Sequence, residues 1–215
     1  MAEVRLPQAT GLPKPLAQAR HGVVRPAALR EVYAHPRAEV ARLARRGLLH
    51  RLLPGYYAVV PREHVERAWM PGLEAAAAGI AEASFGQDNG ILMGVSAARL
   101  HGAIPRALAA AAVAVPRQRP AVTLTDRNAR VLFVQRDLGR LDAERITTEL
   151  GPALVTGIEQ TVLDLAHRPH LGGVPEEARA AVRALLPRSD PEVLARLAEE
   201  QRLRASLDRA MRWAS

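Results

Sequence analysis

Residues 35–60 read HPRAEVARLARRGLLHRLLPGYYAVV, and the period of the apolar positions changes within this stretch. At 100° per residue from Pro36, Val40, Leu43 and Gly47 share one face. Ala38, Ala41, Arg42 and Arg45 lie opposite, with Arg37 and Arg46 on the flanks. The spacing predicts a helix over residues 36–46, with Pro36 suited to its first position and Gly47 to its C-terminal stop. Two β-prone runs follow at residues 48–52 and 56–60, joined through Pro54 and Gly55. That dipeptide favours a type II turn, because glycine tolerates positive φ at the third position. A basic helix running directly into a tight hairpin is the pattern of a winged helix-turn-helix.

The pattern on either side completes such a module. Residues 15–20 read as a short helix, Val23 and Val24 as an extended piece, and residues 26–33 as a second helix opened by Pro26. Leu29 and Val32 would face the core. Arg25 stands before this helix where a Ser or Thr would cap it, a difference of roughly 1 kcal/mol. Residues 61–67 then read as a linker or the first turn of a connecting helix. Beyond them, residues 73–85 form an alanine-rich helix, 91–94 an extended segment, and 96–101 a helix that Ser96 can cap. Strands are expected at residues 112–115, 121–125, 131–135 and 146–149. Helices follow at 158–166, 175–186 and 191–213, the last with Leu194, Leu197, Leu203, Leu207 and Met211 as its apolar stripe. The expected fold class is α+β: a winged helix-turn-helix domain over residues 1–62 and a mixed domain over residues 63–215.

Charge sharpens this division. The chain of 215 residues carries 30 Lys+Arg against 22 Asp+Glu, a formal net charge of +8. Residues 1–68 hold 12 basic and 5 acidic side chains, a net of +7, and residues 69–215 hold 18 and 17, a net of +1. Codon bias toward arginine would act on both parts alike, so the asymmetry marks the first as the polyanion-binding one. Cysteine is absent, which excludes disulfides and cysteine-ligated zinc and fits a reducing compartment. No apolar run approaches the roughly 20 residues of a membrane span, and the opening MAEVRLPQATGLPKP has no apolar core of a signal peptide. A cytoplasmic location is expected.

Within the basic part, Arg42 and Arg45 are the candidates for groove entry and Arg37 and Arg46 for phosphates. His50 and Arg51 are the wing's candidates for backbone or minor-groove contact. Enzyme chemistry finds little footing. Gly94-Val95-Ser96 lacks the second glycine of a nucleophile elbow, Ala98 standing in its place, and Ser96 and His101 are poorly spaced for a nucleophile and its base. There is no P-loop, and the only lysine, Lys14, lies in a proline-flanked arm. His167 and His170 flank Pro169 without a carboxylate cluster, so neither metal nor cofactor is expected. An RNA-binding reading suffers from an aromatic share of 3%, since single-stranded RNA readers stack bases on aromatic rings.

Three segments carry a family resemblance: RLARRGLLHRLLPGYYAV at residues 42–59, GVSAARLHGAI at 94–104, and VTGIEQTVLDLAHR at 155–168. In that order they resemble the AbiEi-type antitoxins of type IV toxin-antitoxin systems. The resemblance implies a winged module that binds double-stranded operator DNA, as inverted repeats, and represses its own operon. It also implies a second domain that counters a nucleotidyltransferase-like toxin without being an enzyme. Ser96, His101, Thr161 and Asp164 are the polar members of the two family-like helices. They are expected to cap helices and tie strands to helices, with a local Thr161–Asp164 hydrogen bond allowed by their spacing. The alternative is a winged-helix regulator whose second domain senses a ligand or dimerises.

Overall fold

Gly47 and Gly55 adopt φ of +70° and +85°, the left-handed region that favours glycine, one ending the basic helix and the other turning the hairpin. The computed structural model describes residue 16, residues 22–65 and residues 67–214. The short helix expected at residues 15–20 falls outside these apart from Leu16, which is buried.

The basic helix, α1, spans Pro36–Arg45, as its period requires. The hairpin pairs β2 (Leu49–Leu53) with β3 (Tyr56–Val59), and β1 (Val23–Val24) adds to the other edge of β3, so the small sheet is antiparallel in the order β1-β3-β2. Val40 and Leu43 are completely buried against Leu16, Val24, Leu29, Leu48 and Leu49. The second helix is shorter than expected, a single 3-10 turn at Pro26–Leu29. The uncapped turn closes when the amides of Val32 and Tyr33 both donate to the Leu29 carbonyl. Val32 is therefore 49% exposed rather than in the core.

The alanine-rich helix α2 (Leu73–Phe85) is buried on every side from Leu73 to Ala81. It is wedged between the small sheet and a larger one, packing on β1 and β3 and also on the strands of the second sheet. Only small side chains permit so close an approach. A Cβ added to Gly90 would sit 2.6 Å from that of Ala81. The Glu149 carboxylate accepts a hydrogen bond from the Gly72 amide at the helix start.

The larger sheet comprises β4 (Ile91–Leu92), β5 (Ala110–Val115), β6 (Val122–Thr123), β7 (Arg130–Gln135), β8 (Ala143–Thr148) and β9 (Gly151–Thr156). Their order is β6-β7-β5-β4-β9-β8. β5/β7 and β4/β9 run parallel and the other pairs antiparallel. β5 is buried on both faces, with Ala111, Val113 and Val115 toward the α2 side and Ala112 and Ala114 toward the other. β9 was not expected from the sequence. The apolar residues Ala153, Leu154 and Val155 lie in a run that opens with Gly151 and Pro152, and they are held as a strand by neighbours on both sides.

Five helices form the remaining layer: α3 (Val95–Leu100), α4 (Ile158–His167), α5 (Pro175–Leu185), α6 (Pro191–Glu200) and α7 (Arg204–Ala214). They share a core that includes Leu163, Leu165, Val182, Leu185 and Leu197. The helix expected over residues 191–213 is two helices, broken near Arg202 at φ +57°. Met211 is consequently 51% exposed, not part of the stripe. The protein is α+β, and no helix among the described residues is long and apolar enough to cross a membrane.

Candidate nucleic-acid interface

With Val40 and Leu43 turned inward, α1 exposes Arg37, Ala38, Arg42, Arg45 and Arg46, and β2 exposes Arg51. Arg37, Arg45, Arg46 and Arg51 make no side-chain hydrogen bond or ion pair among the described residues, so their five-donor guanidinium forks face solvent. Arg42 is different. Its Nε and one terminal nitrogen donate to Glu39 at 2.9 and 2.5 Å, a bidentate pair one helical turn apart. This hydrogen bonding holds the Glu39 carboxyl below the usual range and raises Arg42 above its own. To meet DNA, Arg42 must exchange one anion for another.

His50, the wing's other candidate, has a partner within the chain. Its Nε2 lies 2.8 Å from Oδ2 of Asp126, in the loop between β6 and β7, and its ring stands edge-on to Trp69. Asp126 also accepts from Arg127 at 2.8 and 3.2 Å. Burial pushes the Asp126 carboxyl up, but the bonds from Arg127 and His50 outweigh it and leave it below the usual range. His50 is thus a link from the hairpin to the larger sheet. Beside it the Leu52 carbonyl accepts from both the amide and hydroxyl of Thr125 at 2.7 and 3.2 Å. At the other end, the Tyr56 hydroxyl meets Ser84 at 2.9 Å and accepts from Arg119 at 3.0 Å. Leu52, Leu53, Tyr56 and Ala58 are buried in one continuous core with α2 and the larger sheet.

Two further arginines, the half-buried Arg25 and the exposed Arg30, lie beside this set. A cleft of about 490 Å³ opens between the 3-10 turn, the start of α1 and the wing turn, and Arg25, Arg30 and Arg37 line it. The Arg25 guanidinium sits 4.9 Å over the Tyr56 ring, which orients it. Arg25 entered the sequence reading only as a missing cap. The basic residues on both sides of the short turn, Arg25 and Arg30, are the signal in the sequence that could have located this cleft.

In the second part the polar members of the two family-like helices are structural ties. Ser96, rather than capping α3, accepts from the amide of Ala112 in β5 at 2.9 Å. His101 Nε2 meets the Thr156 carbonyl at 2.8 Å, and the Thr161 hydroxyl bonds to Thr156. Thr161 and Asp164 do not pair. Asp164 instead accepts from Arg136 at 3.0 Å and Gln160 at 3.2 Å through Oδ1, while its buried Oδ2 has no partner among the described residues. Burial pushes this carboxyl up, against the opposing pull of Arg136. His167 bonds Ser206 at 3.2 Å.

A family profile described as the AbiEi antitoxin C-terminal domain matches residues 89–212. No curated protein matches the chain. Among solved structures, the RV2827C protein from Mycobacterium tuberculosis is similar over 92% of this chain and 75% of that one, with 20% identity and a TM-score of 0.58. At that identity the likeness is one of fold.

Proposed function

The chain belongs to the AbiEi antitoxin family, and from that premise we propose that it binds operator DNA through its winged module, represses its own operon, and counters a nucleotidyltransferase-like toxin through residues 63–215. Membership in an antitoxin family implies a toxin partner. What supports the DNA-binding half is one arrangement: Arg37, Arg45 and Arg46, unpaired among the described residues, at a helix whose Val40 and Leu43 are fully buried on the other side, with Arg51 on the adjoining hairpin. Arg45 enters the groove, with Arg42 joining once Glu39 releases it. Arg37, Arg46 and Arg51 take phosphates, and His50 fastens the wing rather than touching DNA. The protein acts in the cytoplasm by occupancy of DNA and by antagonism of the toxin, with no catalytic residue of its own.

The test uses the full chain. An Arg37→Ala/Arg45→Ala/Arg46→Ala/Arg51→Ala variant should lose repression of a reporter placed behind the operon's upstream DNA while still rescuing cells that express the toxin. Full repression by this variant would contradict the DNA-binding reading. Loss of rescue with the fold intact would contradict the division of labour.

A further inference from the structure

Residues 69–215 are nearly balanced in charge, with 18 basic against 17 acidic side chains, yet one cleft gathers cations. It lies between the end of α4, the start of α5 and the last helix α7, with a volume of about 670 Å³. Arg179, Arg209, Arg212 and His170 line it together with Trp213, against a single acidic residue, Glu176. Glu176 only grazes Arg179, at 3.9 Å, with both side chains exposed. Arg209 and Arg212 are three residues apart on one side of α7. Arg209 is pinned by donating to the Ala166 carbonyl at 2.7 Å, leaving its other donors for the cleft. Arg212 has no side-chain partner among the described residues. The Arg179 guanidinium stands 5.5 Å from the Trp213 ring centroid, so a planar cation already marks the indole face. Burial lowers the pKa of the His167 imidazole, and the nearby Arg168, Arg136 and Arg209 lower it further.

We propose that this cleft binds a nucleoside polyphosphate, its phosphates on Arg209 and Arg212 and its base on the Trp213 indole beside Arg179. Guanidinium forks match phosphate oxygens bidentately, aromatic faces accept bases of any sequence, and the volume lies in the small-ligand range of about 300–1,000 Å³. The inference is independent of operator binding, since the cleft lies on helices remote in sequence from α1 and the wing.

The chain has two tryptophans, Trp69 and Trp213. In a full-length Trp69→Phe variant, fluorescence reports Trp213 alone. ATP or GTP should change that emission saturably, and adenosine or guanosine, lacking phosphate, should not. Arg212→Ala in the same background, with an unchanged melting temperature, should weaken binding about tenfold or more, the loss of a charge-assisted contact. It should leave binding to operator DNA unaltered. No saturable change up to about 1 mM nucleotide, or an Arg212→Ala affinity unchanged from that of the parent, would overturn the proposal. So would Arg212-dependent binding of a single-stranded oligonucleotide in preference to the free nucleotides, which would make nucleic acid the occupant.

Discussion

Replacing Asp126 with Ala cuts the polar link that fastens the wing hairpin to the larger sheet. The Asp126 side chain is 4% exposed and holds His50 and Arg127, whose side chains are 24% and 16% exposed. Hydrogen bonds to a charged group contribute about 1.5–3 kcal/mol each, and both partners can rehydrate in part once the carboxylate is gone. The expected loss is therefore about 2–3 kcal/mol for Asp126→Ala, and about 1–1.5 kcal/mol for His50→Ala, which removes one of the bonds. Because one bond is shared, the double variant should lose about 1 kcal/mol less than the sum. Urea unfolding of the full chain, followed by far-UV circular dichroism, measures all four species. One transition that moves to lower urea at unchanged slope is expected, because Leu52, Leu53 and Tyr56 share a core with α2. The pH dependence has a definite sign: with its folded pKa depressed, the carboxylate contributes above its unfolded pKa of about 3.9 and the contribution is lost as pH falls through the lower folded value. Additivity within about 0.3 kcal/mol, or a separate wing transition that Asp126→Ala leaves unmoved, would refute the coupling.

Three other outcomes follow from the packing. Gly90→Ala places a methyl 2.6 Å from the Ala81 Cβ and should cost about 1–3 kcal/mol by the same unfolding assay. Tyr56→Phe removes the hydroxyl that joins Ser84 and Arg119 and should cost about 1 kcal/mol, with repacking of the ring unnecessary. For Asp164 the sign is opposite to that of Asp126: its folded pKa is raised, so stability is greatest below the unfolded value and declines as pH rises through the folded one. Asp164→Asn should flatten that decline in thermal melts recorded across pH, since the amide has no charge to desolvate.

The parts of the fold that were legible in the sequence are those whose reasons are local. The 3.6-residue period put Val40 and Leu43 inside, and Gly47 and Gly55 stand where the backbone requires positive φ. What escaped is tertiary. β9 begins with Gly151 and Pro152 and becomes a strand through β4 and β8 on its flanks. Helix α2 has too little polar surface for a solvent-facing helix, because its burial on two sides is set by sheets distant in sequence. In the candidate site the exposure of Arg37, Arg45, Arg46 and Arg51 could be read from the helix face and the hairpin. The Arg42–Glu39 pair was missed, although the two stand three residues apart with the acid toward the N-terminus. The engagement of His50 was not legible, because Asp126 is 76 residues away.

The central claim is that unpaired arginines of α1 and the wing meet the phosphates of operator DNA. The direct measurement is the affinity of the full chain for the operon's upstream duplex as a function of salt. With Arg37, Arg46 and Arg51 on phosphates, the logarithm of affinity should fall against the logarithm of salt with a slope of roughly −3 for each chain bound. Arg37→Ala and Arg46→Ala should each make the slope shallower by about 1. A slope near zero, or one that neither substitution alters, would contradict the account.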